Sequence, residues 1–371
     1  MAICGVAADV PVLTRWPKLP ISLKDSFSLA GLPSTVGFVF RSSDPIAKEH
    51  SALASLLLSA GAILYVKTTT PQGQLALDTD SALWGRTVNP RNTALSAGGS
   101  SGGEAALIAM RGSVLGVGTD LGGSIRIPAS CCGIYGFKPT TRRIPRQGTE
   151  TTEAPGSHYA GVATVCGPLA TSTADCTWFL DVVNGLKPWT VDAQCVAHTF
   201  AVPPKKRLNI GLMKSDGVIA PLPPVEKMLD NLSSALTAAG HNVELISIPQ
   251  FPAAYNTCNG FMVINGTTEI FDGMATTGES WSPWLAARMR RRAPKPTALN
   301  DFYKLSLQKH RFESEFLKQT WERGAGKAQL DVILCPVAGH PTTPHDAWVG
   351  TDYTIVWNLV DYPAGVGSLY C

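Results

Sequence analysis

The sequence predicts an α/β fold, and three observations carry that prediction. Residues 47–60 place leucines at 53, 56 and 57 on one helical face and stop at Gly61, after which 62–67 is a compact apolar strand. Residues 104–111 are rich in Ala, Leu, Ile and Met, read as a helix, and lead into a strand at 114–117. Further on, a strand at 208–213, a helix at 224–239 closed by Gly240 and a strand at 242–247 repeat the alternation. Helices that alternate with strands in this way cover the faces of a sheet.

Taken in order, the first element is a short strand at the start of 20–36 that runs into a glycine turn. It carries Lys24 in an apolar setting, between Leu23 and a stretch with Phe27 and Leu29. After the strand at 62–67 come two serine-bearing glycine turns, at 98–103 and 122–124, on either side of the helix at 104–111 and its strand. Residues 146–160 are polar and contain Gly and Pro, hence a loop. Ser172-Thr-Ala-Asp175 is a capping box ahead of the apolar Trp178, Phe179 and Val182. Residues 184–206 read as a long connection, 301–323 as a long surface helix and 331–336 as the last clear strand. No internal repeat is found.

With 371 residues, of which 44% are hydrophobic, the chain can bury a substantial core. Only 16% of residues are charged and the net charge is +3, which speaks against nucleic acid or a strongly acidic partner. No apolar run is long enough for a membrane span, and residues 1–15 lack a basic segment of the secretory kind, so a cytoplasmic protein is expected. Nine cysteines, odd in number and irregular in spacing, fit free buried thiols better than a disulfide framework or a metal site. Asn231-Leu-Ser and Asn265-Gly-Thr match a glycosylation pattern that carries little weight without a secretory signal.

Chemistry concentrates at residues 98–145. An acyl-transfer hydrolase needs a nucleophile, a base for its proton and donors for a tetrahedral oxyanion. Ser124 follows Gly122 and Gly123, where successive amides can converge on such an oxyanion. With no histidine nearby, the base is expected to be a lysine, and a lysine serves only when neutral. Its ordinary pKa of about 10.4 must fall to ~7. Burial among hydroxyls without a carboxylate partner does that, and Lys24 has the setting.

These residues carry a resemblance. Ile-Ser-Leu-Lys24-Asp-Ser-Phe, Gly-Ala-Ile-Leu-Tyr-Val-Lys-Thr-Thr-Thr-Pro-Gln at 61–72, Gly-Gly-Ser100-Ser-Gly-Gly-Glu and Gly-Thr-Asp-Leu-Gly-Gly-Ser124-Ile-Arg-Ile-Pro resemble the amidase signature family. The likeness is nearest to its acetamidase-like and fatty-acid-amide-hydrolase-like branches. It continues more weakly through Asp216-Gly-Val, Ile333-Leu-Cys-Pro and Trp357-Asn-Leu-Val-Asp-Tyr-Pro-Ala. It implies a single α/β domain over 1–371, with a central mixed twisted β-sheet covered by α-helices. A signature core at about 20–185 would be followed by a remainder that completes sheet and pocket.

The resemblance further implies a Ser–cis-Ser–Lys triad with Ser124 as nucleophile, Ser100 as bridging serine and Lys24 as base. Oxyanion donors would come from the backbone of Leu121, Gly122, Gly123 and Ser124. Residues near 72–77, 255–270 and 340–357 would line the pocket. The reaction implied is hydrolysis of a small-molecule amide, without metal or organic cofactor; a homo-oligomer is left open. Relatives have a longer N-terminal region and a further C-terminal stretch, so the chain is expected to be shortened at both ends.

Other readings stand beside these. An esterase or acyl-transferase would use the same triad, and an inactive or partner-dependent homologue would keep its letters. Ser101 is a supporting hydroxyl or a helix cap. Asp120 and Arg126 read as a buried structural ion pair ahead of direct catalysis. Gly116-Val-Gly118 has a dinucleotide-like look at the wrong spacing. His340 and His345 read as loop residues, and the basic run 288–295 as a solvated face.

Overall fold

The structure is a computed structural model that describes residues 3–4, 18–151, 161–198, 206–248, 251–289, 295–321 and 328–367. Most of the segment 1–15, the second half of the 146–160 loop, part of the 184–206 connection, the end of the 301–323 helix and most of the 288–295 basic run lie outside the described residues.

Along the chain the elements are β1 (Ile3–Cys4), β2 (Pro20–Lys24), α1 (Ala52–Ser59), β3 (Ile63–Thr68), β4 (Asp80–Ser81), β5 (Gly85–Arg86), α2 (Gly102–Ala109) and β6 (Leu115–Asp120). There follow α3 (Arg126–Cys132), β7 (Tyr135–Lys138), β8 (Val165–Ala170), α4 (Thr173–Gly185), β9 (Asn209–Leu212), α5 (Pro223–Ala238) and β10 (Asn242–Leu245). The last are α6 (Phe251–Met262), α7 (Thr268–Thr277), α8 (Pro283–Met289), α9 (Leu299–Thr320), β11 (Val332–Leu334), α10 (Asp352–Leu359) and β12 (Ala364–Val366).

Among the described residues the main sheet has the order β1-β3-β2-β6-β8-β7-β12. It is mixed: β2 runs parallel to both β3 and β6, and the remaining pairings are antiparallel. The expected mixed sheet under helices is therefore observed. The strands β10-β9-β11 form a separate parallel sheet, and from the second half of the chain only β12 joins the main one.

Strand alternation places the site. On β2, Ile21 and Leu23 pack with Leu115 and Val117 of β6 against Leu53 and Leu57 of α1 and Phe179 and Val183 of α4. Ser22 and Lys24 therefore turn to the other face, toward the N-terminal end of α2. There β6 presents Gly116 and Gly118, which accounts for the spacing that mimicked a dinucleotide motif. A Cβ at 118 would meet Ser101 Oγ at 2.7 Å, so the glycines let α2 sink against the strand.

Several elements differ from the sequence reading for identifiable reasons. Helix α1 begins at 52 rather than 47 because the chain before it braces residues 28–31. Gly31 donates to the Ala47 carbonyl at 2.9 Å, and Ser51 donates to that of Ser28 at 2.8 Å. Helix α3 has no counterpart in the sequence reading; its Pro128 sits in the first turn, where a missing N–H is harmless. Strand β8 carries Gly167-Pro168, and its pairing with β7 covers only Leu169 and Ala170. Ser172 caps helix α4 as expected, with the Asp175 amide donating to Ser172 Oγ at 3.1 Å. No helix among the described residues is long and apolar enough to cross a membrane.

Candidate active site

The parallel strands β2 and β6 end side by side, and the candidate residues gather beyond their carboxyl ends, where open sheets leave a crevice. Lys24 is the last residue of β2 and is fully buried. Its Nζ donates to Ser100 Oγ and to Thr119 Oγ1, each at 2.7 Å. Thr119 Oγ1 donates in turn to Gln74 Oε1 at 3.1 Å. The neighbouring Asp25 is committed to Lys67 at 3.0 Å, and Lys24 has no ion pair among the described residues. Burial pulls the Lys24 pKa down to about 7, against the opposing pull of acidic groups led by Asp120.

Ser100 lies in the glycine turn before α2, and the Gly99–Ser100 peptide is cis. The Ser101 amide donates to the Ser124 carbonyl at 3.1 Å, which ties the two glycine turns together. Ser101 makes no side-chain cap bond; its Oγ donates to the Thr119 carbonyl at 3.3 Å, so the supporting role fits and the capping role does not.

The Ser124 turn is held from several sides. Arg126 forks onto Asp120, with Nε to Oδ2 at 3.0 Å and an Nη to Oδ1 at 2.8 Å, both side chains being buried. Asp120 also accepts from the amides of Gly123 at 2.9 Å and Ile125 at 3.1 Å. Burial by itself would raise the Asp120 carboxyl; Arg126 overrides it and holds the group well below the usual carboxylate range. Arg126 reaches on to the Thr354 carbonyl at 2.8 Å and to Asn358 Oδ1 at 2.7 Å, while the Thr354 hydroxyl donates to the Gly122 carbonyl. Gly123 has φ +131°, and a Cβ there would meet Thr354 Oγ1 at 2.5 Å, so only glycine lets α10 approach.

Of the four amides expected to receive an oxyanion, Gly123's is thus engaged by Asp120. Those of Leu121, Gly122 and Ser124 have no partner among the described residues. Ser124 is half-buried, and its Oγ makes no hydrogen bond there either, so the link from Ser124 to Ser100 is not formed in this state.

Ser100, Thr119, Leu121, Gly122 and Ser124 open onto a cavity of about 730 Å³. Its walls include Gly73, Gln74, Leu75 and Leu77, then Tyr255, Asn259 and Met262 of α6, and Asp346, Gly350, Thr351 and Ile355. All three segments expected to contribute do so. Two others were missed: Arg146, Thr149, Glu150 and Thr151, and Trp284, Leu285, Ala287, Arg288 and Met289 of α8. The sequence signal for α8 was its Trp-Leu run at 284–285 beside the basic stretch. Arg288, read as part of a solvated face, instead stacks on the Trp284 ring at 3.8 Å and borders the cavity. His340 and His345 do not line it; His345 Nε2 lies 3.0 Å from the Thr93 carbonyl.

A family model described as Amidase matches residues 18–368. An amidase of Gibberella zeae is 36% identical over 355 residues, 93% of this chain and 64% of its own length. An acetamidase of Aspergillus oryzae is 35% identical over 359 residues, 94% of this chain and 65% of its own. The chain thus spans slightly less than two thirds of these curated relatives. Among solved structures, a fatty acid amide hydrolase superposes with a TM-score of 0.86 at 28% identity, over 94% of this chain and 60% of that one.

Proposed function

The chain belongs to the amidase family, and from that premise we propose that it hydrolyses the C–N bond of a small-molecule carboxamide to a carboxylate and ammonia or an amine. The observation that carries the reading is a fully buried lysine, Lys24, hydrogen-bonded to Ser100 at the floor of a cavity that Ser124 also lines. A cavity of about 730 Å³ is of the size that small-molecule sites have.

In this reading Ser124 Oγ attacks the amide carbonyl carbon. Its proton passes to Ser100, whose own proton passes to neutral Lys24. The tetrahedral oxyanion is received by the amides of Leu121, Gly122 and Ser124, with Gly123's amide spent on fixing the turn through Asp120. Collapse breaks the C–N bond, and the proton returns through Ser100 to the leaving nitrogen. Water then attacks the acyl-enzyme by the same route and frees the acid. Because Lys24 titrates at about 7, turnover rises as pH passes upward through that value. A cytoplasmic setting is part of the same reading, supported by the buried free thiols of Cys131, Cys132, Cys166, Cys176 and Cys258.

The test is covalent labelling. A fluorophosphonate should add one adduct to the wild-type chain, seen by intact mass, and none to Ser124→Ala. Labelling that persists in Ser124→Ala, or that is absent from folded wild-type protein, refutes the assignment. Adding hydroxylamine during turnover then separates hydrolysis from acyl transfer.

A further inference from the structure

The polar face of β2 carries more than the candidate base. Two residues before Lys24, on the same side of the strand, Ser22 donates to Glu104 Oε2 at 2.6 Å. Thr68, paired with Lys24 across β3, donates to Glu104 Oε1 at 2.7 Å. Glu104 is fully buried and does not border the cavity. Facing it on β6 is Gly116, where an added Cβ would lie 1.9 Å from Oε2, so the carboxyl fits only because that position is glycine. A glutamate three residues after a serine at a helix start reads as a capping box. That role is not taken up here: the Ser101 amide goes to the Ser124 carbonyl, and both Glu104 oxygens go to hydroxyls on β2 and β3.

We propose that Glu104 is a positioning residue for the base: its carboxyl, held by Ser22 and Thr68 behind Lys24, sets the protonation of Lys24 and with it the lower pH limit of catalysis. This rests on the reading of Lys24 as the base. An ionised carboxylate in this dry layer favours the ammonium form of Lys24, and a neutral carboxyl releases it, so the two groups titrate as a pair. Burial pushes Glu104 up to about 7, against the Ser22 and Thr68 hydroxyls and Lys24, into the range where Lys24 itself titrates.

Of the other groups facing Lys24, Asp120 and Cys166 keep one charge in that range. Asp120 of β6 is held ionised by Arg126, Asp25 is committed to Lys67, and burial pushes the Cys166 thiol of β8 up to about 12, so it stays neutral. Glu104 itself faces the two hydroxyls and Lys24.

The experiment follows the pH dependence of fluorophosphonate labelling at Ser124 in the whole chain, for wild type, Glu104→Gln and Thr68→Val. In Glu104→Gln the acid limb should move to lower pH by about one unit, since an amide cannot hold charge toward Lys24. Thr68→Val strips a donor from the carboxylate, favours its neutral form and should move the limb the same way by less. A glutamate that only packs would change melting temperature and leave the limb in place. Limbs unmoved in both variants overturn the proposal while Lys24 keeps its role. Absent labelling in wild type removes the Lys24 reading and this one with it. Should Glu104→Gln fail to fold, the Thr68→Val shift decides.

Discussion

Two regions of the molecule meet at the cavity and are built on different principles. The floor, made by the ends of β2 and β6 and the two glycine turns, is a buried polar network of side chains bonded to one another, in which the amides of Leu121, Gly122 and Ser124 alone among the four expected donors have no partner among the described residues. Lys24, Thr119, Asp120 and Arg126 each make two or more hydrogen bonds at 2.7–3.1 Å. The walls, from α6, α8 and the 346–355 stretch, are largely packing: Met262, Trp284, Leu285, Met289 and Ile355 present mostly carbon to the cavity. A hydrogen-bonded network tolerates little, because a removed partner leaves a buried group unpaired. An apolar wall can change shape and keep its chemistry. One element belongs to both regions. Helix α10 lines the cavity with Ile355 and bolts the Ser124 turn with Thr354 and Asn358.

That contrast can be broken or sharpened in order of expected effect. The largest lies in the floor: Lys24→Ala should lower amide turnover on the order of 10²–10⁴-fold, as expected for loss of a general base. Wild-type turnover should rise through pH about 7 as Lys24 becomes neutral. A flat profile between pH 5.5 and 8.5, roughly the range over which such a group changes charge, would break the floor's assignment.

Next comes the ion pair. Arg126→Met leaves Asp120 buried and uncompensated, with an expected loss of about 3–5 kcal/mol in urea unfolding. The folded Asp120 pKa is depressed, so its contribution is present above the ordinary carboxylate value of about 3.9 and lost as pH falls below it. Wild-type stability should therefore drop at acid pH, and Arg126→Met should show a shallower drop.

A smaller effect is expected where floor and α10 touch. Gly123→Ala must displace Thr354 and adopt a φ that alanine disfavours, at a cost of about 1–3 kcal/mol. Labelling of Ser124 should suffer more than melting temperature does, since the strain falls on the turn itself. The smallest belongs to the walls. Ala287 of α8 is exposed and borders the cavity. Ala287→Phe should shift preference between short and long acyl chains by about tenfold, with unfolding stability changed by less than about 0.5 kcal/mol. A comparable fall for every substrate tested would mean that floor and wall are not separable.

As candidates, Lys24 and Ser124 are legible in the sequence because each is marked locally, and Ser100 through the resemblance that its glycine turn carries. A strand's alternation isolates Lys24 among apolar neighbours, and the glycines at 98, 99, 102, 103, 122 and 123 announce backbone that must approach closely. Helices α6, α8 and α10 were not assigned as elements. Helix α10 shows no amphipathic stripe because every residue from Tyr353 to Leu359 is buried, whereas α6 buries one face, Phe251, Ala254, Cys258 and Phe261, in which the small Ala254 and Cys258 weaken the apolar signal. Strand β8 escaped because Gly167-Pro168 reads as a break, and only the register with β6 shows that the ladder runs through it.

By itself, then, the sequence determined the α/β alternation, the two glycine turns and the residue types that chemistry requires, because these depend on neighbours a few positions apart. The tertiary structure alone decided that Asp25 went to Lys67 and which hydroxyls received Lys24, whereas the Asp120–Arg126 pair was already readable in the sequence. It also decided that Gly123's amide serves the turn and that Glu104 lies behind the lysine. The physical reason is range. Propensity and periodicity act along the chain, whereas desolvation and charge act through space, between groups that only packing brings together.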